Sequence, residues 1–75
     1  MAEQRAQAYW NTETGTVWIE TAEDPPAYRL AESVGTALAA YDTVAASGWS
    51  RSGNWMIRPG IQHQRVLDVH RTALR

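Results

Sequence analysis

Residues 7–20 read Gln-Ala-Tyr-Trp-Asn-Thr-Glu-Thr-Gly-Thr-Val-Trp-Ile-Glu, two runs of aromatic and β-branched residues on either side of a Thr-Glu-Thr-Gly turn. Residues of these types favour strands, so the stretch predicts a β-hairpin. Asn11 can bond backbone groups at the start of the turn. Gly15 can supply the positive φ that closes a type I turn with a bulge.

The turn also predicts which side chains share a face of the ribbon. Three cross-strand pairs are expected: Trp10 with Val17 and Ala8 with Ile19 on one side, and Tyr9 with Trp18 on the other. A two-stranded ribbon buries only one face against a helix, so one aromatic pair is either exposed or covered by a partner. We interpret this aromatic pair as a cross-strand contact that stabilises the ribbon, in preference to a contact with a partner.

A long helix is predicted after the hairpin. Residues 22–26 form a break in which Asp24 can cap and the two prolines occupy the first helical positions. Over residues 27–47 the apolar side chains recur at three- and four-residue spacing: Leu30, Val34, Ala37, Leu38, Tyr41, Val44 and Ala45. Gly48 then ends the helix as a C-cap glycine.

Small residues form a second row on this predicted helix, at Ala31, Gly35 and Ala39. Such a row lets another backbone approach closely, so it accommodates either the sheet of the same chain or, if it is exposed, a second subunit.

The C-terminal part is predicted to add strands. We expect a loop at 50–54, a strand at about 54–58 and a type II turn at Pro59-Gly60. Residues 61–70 are either strand or helix, and the strand is preferred because the segment lacks a capping residue at its start. The resulting fold class is α+β: a small antiparallel sheet, made of the N-terminal hairpin plus one or two C-terminal strands, packed on one long helix. Residues 1–75 form a single domain.

Composition limits what can stabilise this domain. The chain has 75 residues and no cysteine, so neither disulfides nor a thiolate zinc site is available. No apolar run approaches the roughly 20 residues of a membrane helix, and the start has no apolar signal region. A cytoplasmic location is therefore the expectation.

Charge is distributed unevenly along the chain. Residues 1–40 hold two arginines against six carboxylates, a net charge of −4, whereas residues 48–75 hold five arginines against one aspartate, a net charge of +4. These five arginines, interleaved with Trp49 and Trp55, are Arg51, Arg58, Arg65, Arg71 and Arg75. Such a chain is an electrostatic dipole that can orient on a charged partner or on a second copy.

Catalytic and metal-binding patterns are weak. His63 and His70 lack the three or four converging ligands that a metal needs. Asp68 and His70 with Ser50 or Ser52 have the residue types of a triad, but no nucleophile elbow surrounds either serine. No glycine-rich phosphate loop is present. We therefore expect no enzyme activity, no cofactor and no metal.

The tryptophans and arginines are the candidate binding residues. Because the chain lacks Phe, two or three of its four tryptophans must fill the core. Trp10 and Trp55 are assigned to the core, and Trp18 and Trp49 to the surface. The predicted partner-binding residues are Trp49, Arg51, Arg58, Trp18, Tyr9 and Arg65.

These features predict a small non-catalytic protein-binding module, since Trp and Arg are enriched at interface hot spots. In size and style, though in no family motif, the chain is similar to phage or mobile-element proteins that inhibit a host complex, including anti-CRISPR inhibitors. One alternative is a nucleic-acid-binding regulator that uses an Arg/Trp face. Another is a structural subunit of a homo-oligomer, such as a homodimer, that uses the small-residue row.

Overall fold

The computed structural model describes residues 3–21 and 27–72, and these form one antiparallel sheet with one short helix. The elements are β1 (Glu3–Asn11), β2 (Val17–Glu20), β3 (Ala27–Ala31), α1 (Ala37–Ala46), β4 (Ser50–Arg51), β5 (Met56–Arg58) and β6 (Ile61–Thr72). The strand order is β3-β2-β1-β6, and β4 and β5 pair with different parts of β6 along its outer edge. The molecule is therefore mostly β, and the predicted α+β class, a sheet packed on one long helix, is wrong.

The N-terminal hairpin forms with the predicted register. Trp10 lies opposite Val17, and Tyr9 lies opposite Trp18. The Asn11 side-chain oxygen accepts the backbone N–H groups of the next turn residues at 2.9 and 3.1 Å, and Gly15 has a φ of 80°. The predicted hairpin and its register are confirmed, and every signal used to predict them is local in sequence.

The predicted helix over 27–47 is wrong in its first half. Residues 27–31 are instead strand β3, which pairs with β2. Ser33, with a φ of 61°, takes the chain out of the strand through a left-handed conformation. The helix begins only after Thr36, whose Oγ1 accepts the N–H of Ala39 at 3.1 Å, as an N-cap residue does. The predicted cap Asp24 and the two prolines lie outside the described residues.

The predicted row of small residues depended on a helix over 27–47, and the observed helix is shorter. Ala31 belongs to β3, Gly35 precedes α1, and only Ala39 is helical. The three residues therefore do not line one helix face, and the subunit contact predicted from them is not formed by such a row.

The C-terminal segment is a strand, as preferred from the sequence. β6 covers Ile61–Thr72 and pairs with β1 from Glu3 to Asn11. β5 falls within the predicted 54–58 strand, whereas β4 forms inside the predicted loop. Gly60 has a φ of 81°, the positive value that the third residue of a type II turn requires.

The core lies between the sheet and α1. Its buried residues are Ala8, Trp10, Val17, Ile19, Ala40, Val44, Trp49, Leu67 and Val69. Trp55 is half-buried and packs against this cluster, so its predicted core role and that of Trp10 agree with the structure. No helix within the described ranges is long and apolar enough to cross a membrane.

Trp49 is the tryptophan placed wrongly by the sequence analysis, since only 2% of its surface is exposed. The end of α1 explains why. The N–H of Gly48 bonds to the carbonyl of Ala45 and the N–H of Trp49 to that of Val44, at 3.0 and 3.3 Å. This is a Schellman motif, in which the residue after the glycine packs back on the last helical turn. Trp49 Nε1 also donates to the Tyr28 hydroxyl at 2.9 Å.

Candidate functional site: the open face of the sheet

The two sides of the sheet have different environments. Side chains of alternate residues point to opposite sides of a strand, and α1 covers the side that carries Ala8, Ile19 and Leu67. We call the other side the open face. It carries Tyr9 and Trp18, which do not belong to the core cluster.

An apolar row crosses the open face. Trp18, Tyr9, Val66 and Met56 lie directly opposite one another on β2, β1, β6 and β5. The Tyr9 and Trp18 rings are stacked, with centroids 5.3 Å apart and an interplanar angle of 17°. Met56 is 67% exposed, and Trp18 and Val66 are half-buried. The row is therefore an apolar strip that α1 does not cover.

Basic and amide groups flank this row on the side of the β5–β6 turn. The guanidinium carbon of Arg58 lies 4.8 Å from the centre of the Tyr9 ring, a distance typical of a cation–π contact. Arg58 Nη1 donates to Gln64 Oε1 at 2.8 Å. Tyr9 is covered by Trp18 and Arg58, and only 6% of its surface is exposed.

Acidic groups flank the row on its other side. Glu20, Gln7 and Asp68 lie opposite one another on β2, β1 and β6. Trp18 Nε1 donates to Glu20 Oε2 at 2.9 Å, and Gln7 Nε2 donates to Asp68 Oδ1 at 3.2 Å. Arg5 lies two residues further along β1 on this same side, opposite His70, so this side of the row carries charges of both signs.

A shallow groove runs over the acidic side of the open face. It consists of two adjoining cavities of about 410 and 240 Å³ that share Gln7, Ser52 and Asp68 in their lining. The loop that begins at Ser52 forms one wall. Two bonds hold this loop on β6: Ser52 N–H donates to the Asp68 carbonyl at 2.8 Å, and Ser52 Oγ lies 2.7 Å from His70 Nδ1.

The Ser52–His70 contact brings together two of the residue types considered for a triad. The third, Asp68, accepts from Gln7 through its carboxylate and from Ser52 through its carbonyl. Neither of these bonds orients the His70 ring, which is what the acid of a triad does. The Ser52–His70 hydrogen bond holds the loop against β6.

The two histidines have separate surroundings. They point to opposite sides of β6, and His63 Nδ1 lies 3.4 Å from Glu13 Oε2. In the part of the chain that the structure describes, no three His, Asp or Glu side chains are grouped as metal ligands would be.

The six predicted binding residues are divided between the two sides of the sheet. Trp18, Tyr9 and Arg58 meet on the open face. The other three, Trp49, Arg51 and Arg65, lie on the helix side. There the Arg51 guanidinium carbon is 4.0 Å from the centre of the Tyr41 ring, and Arg65 Nη1 donates to the Gln62 carbonyl at 2.8 Å.

Sequence reasoning missed the residues that complete the open face: Gln7, Glu20, Met56, Val66 and Asp68. Only the pairing of β1 with β6 and of β6 with β5 brings them beside Tyr9 and Trp18. The predicted Tyr9–Trp18 pair was the one available signal, because it already indicated an aromatic pair on the side away from the helix.

Comparisons with protein-family models, with characterised proteins and with solved structures give no match to this chain.

Proposed function

We propose that this protein is a non-catalytic protein-binding module that contacts its partner through the open face of the sheet. The observation that carries this proposal is the apolar row, which α1 leaves uncovered and which is flanked by basic and acidic side chains. An exposed apolar strip with a polar rim is typical of protein interaction surfaces. No feature of this face specifies an inhibitor of a host complex, so the proposal stops at protein binding.

Three side chains are suited to anchor such a contact. Trp18 offers a half-buried indole, Met56 is 67% exposed, and Arg58 is held in place by Tyr9 and Gln64. Tryptophan and arginine dominate interface hot spots, and methionine adapts its shape to a partner. An anchor that is already held in one conformation loses little entropy on binding.

Nucleic acid is a weaker candidate for this surface. Binding to phosphates favours a plainly basic patch, whereas the open face carries Glu20 and Asp68 next to its arginines. Three arginines, Arg51, Arg58 and Arg71, each lie over an aromatic ring. The Tyr9 ring is already covered and offers no free face on which a base could stack.

The proposal can be tested with a photo-reactive amino acid placed at Met56, in extract of the source cell. The matched control carries the same group at Leu38, which is 70% exposed on α1 and on the other side of the sheet. We expect a protein cross-link from position 56 and not from position 38.

The captured protein is then purified and titrated against variants of the chain. Met56→Asp should weaken its binding by at least about tenfold, because a charge replaces an anchor, whereas Leu38→Asp should leave binding unchanged. Cross-links to nucleic acid, equal capture from both positions, or equal affinity of the two variants would overturn the proposal.

A further inference from the structure

We infer that the partner protein adds an extended strand to the outer edge of β5. This inference rests on the proposed function, because Met56 belongs to both surfaces. Three features meet at this edge: two exposed apolar side chains that point to opposite sides of the sheet, and between them a backbone N–H and C=O without a partner. Only a segment that lies in the plane of the sheet covers all three.

The exposed apolar side chains of β5 lie on both sides of the sheet. Met56 belongs to the row that crosses the open face. Ile57 is the next residue of the strand and points to the helix side, where it lies opposite Arg65. The two side chains are 67% and 64% exposed. A partner that rested on the open face alone would cover Met56 and leave Ile57 in water.

The backbone of Ile57 directs its hydrogen-bonding groups to the free edge. On the outer side of β6, the Asp68 carbonyl accepts the N–H of Ser52. Residues two apart on a strand direct their backbone groups to the same edge, so those of Val66 face β5. Met56 lies opposite Val66 and bonds with it, and the groups of Ile57, one residue on, point away from β6. Within the described ranges these groups have no other partner.

This free edge is one residue long. The Trp55 N–H already donates to the Tyr41 hydroxyl at 2.8 Å, and Pro59 has no N–H. An added strand therefore forms its backbone hydrogen bonds with Ile57, and side chains supply most of its affinity. We expect two consecutive apolar residues in that strand, one opposite Ile57 on the helix side and the next opposite Met56 on the open face.

The other free edges of the sheet lack this combination. β3 has the exposed charge of Arg29 at its centre, and β4 consists of Ser50 and Arg51. Charged side chains on an edge strand oppose the addition of another strand. The charge of β5 is that of Arg58, whose guanidinium lies over the Tyr9 ring on β1 and is therefore directed away from the edge.

The strand of a different protein fits this edge better than β5 of a second copy. Pairing of β5 with itself about Ile57 would place Arg58 of one copy opposite Met56 of the other. Because the Arg58 guanidinium lies over Tyr9, it would leave that methionine uncovered. A segment with an apolar residue at this position covers it.

The test uses peptides selected from a phage-displayed library of random sequences that is panned on the full chain. We expect the selected peptides to contain two adjacent apolar residues. Ile57→Asp should weaken their binding by at least about tenfold, because a charge replaces an apolar contact. Leu38→Asp is the matched control on α1 and should leave their binding unchanged, since this leucine is equally exposed but distant in the sheet from β5.

A chemically synthesised chain with a methyl group on the backbone nitrogen of Ile57 tests the hydrogen bond itself. This chain keeps every side chain and loses one outward donor, so its affinity for the peptides should fall by at least about tenfold. The matched control carries the methyl group on the nitrogen of Arg51, which also points to a free edge because the next residue, Ser52, bonds to β6. Its affinity should equal that of the unmodified chain.

A library without binders, peptides whose affinity does not depend on Ile57, or a methyl group there without effect would overturn the inference. So would a dimer in sedimentation equilibrium that the Ile57 methyl group abolishes, since the added strand would then belong to a second copy. A protein captured from position 56 that binds less tightly to Met56→Asp but equally to the chain methylated at Ile57 would overturn strand addition and leave the proposed function in place.

Discussion

At the scale of single residues, three of the seven arginines lie over aromatic rings of the same chain. Arg51, Arg58 and Arg71 lie over Tyr41, Tyr9 and Trp49, with guanidinium carbons 4.0 to 4.8 Å from the ring centres. A planar guanidinium can stack in this way, and the chain has no lysine. The sequence shows where the arginines occur along the chain. It does not show that folding places most of the predicted binding cations against the protein's own rings.

Trp49 supplies a test at this scale. Trp49→Ala should lower the free energy of unfolding by about 3–5 kcal/mol, because it leaves a cavity in the core and removes the partner of the Tyr28 hydroxyl. Trp18→Ala is the matched control on the open face and should cost about 1 kcal/mol, the value of a cross-strand pair. Urea denaturation measures both. Equal losses for the two variants would contradict the assignment of Trp49 to the core.

At the scale of elements, the hairpin predicted from local signals is confirmed, whereas the helix predicted from a capping break and apolar periodicity is wrong in its first half. The hairpin follows from Asn11, Gly15 and two β-branched runs that are close in sequence. Residues 27–31 fit both a helical stripe and a strand, and pairing with β2 decides for the strand. The turn residues Ser33 and Gly35 and the cap Thr36 were the signals for the later helix start.

Gly15 connects two of these elements and provides the next prediction. A Cβ added there would lie 2.4 Å from the backbone nitrogen of Val34, whose N–H bonds to the Gly15 carbonyl. Gly15→Ala should therefore separate the hairpin turn from the segment after β3 and cost at least about 3 kcal/mol.

Gly60→Ala is the control for this prediction. Gly60 has nearly the same φ but open space around it, so the change should cost only about 1–2 kcal/mol from the backbone conformation. Thermal or urea unfolding of the two variants gives the comparison. A cost for Gly15→Ala no larger than that for Gly60→Ala would mean that the close approach to Val34 is unimportant.

At the scale of the whole molecule, the strand order keeps the two halves of the chain apart. The strands β3, β2 and β1 come from the acidic half, and β6, β4 and β5 come from the basic half. The open face lies where the two halves meet, at the β1–β6 pairing. No local pattern predicts that pairing, since it joins residues up to 69 positions apart.

This mixed charge predicts poor binding to nucleic acid. A labelled single-stranded oligonucleotide, followed by fluorescence anisotropy at physiological salt, should bind with a dissociation constant weaker than about 100 μM. Arg58→Ala should not change that value. Tighter binding that weakens steeply with salt and falls on Arg51→Ala or Arg58→Ala would favour the nucleic-acid alternative.

The position of β6 has a consequence for how the chain is made. β6 is synthesised after every other strand, yet it lies between β1 on one side and β4 and β5 on the other. Until residues 61–72 have emerged, β1 lacks one neighbour and β4 and β5 lack the strand that holds them. Until then the core also lacks Leu67 and Val69, the residues that β6 contributes to the buried cluster. Folding then depends on pairing strands that are far apart in sequence, and chains dominated by such long-range contacts fold slowly.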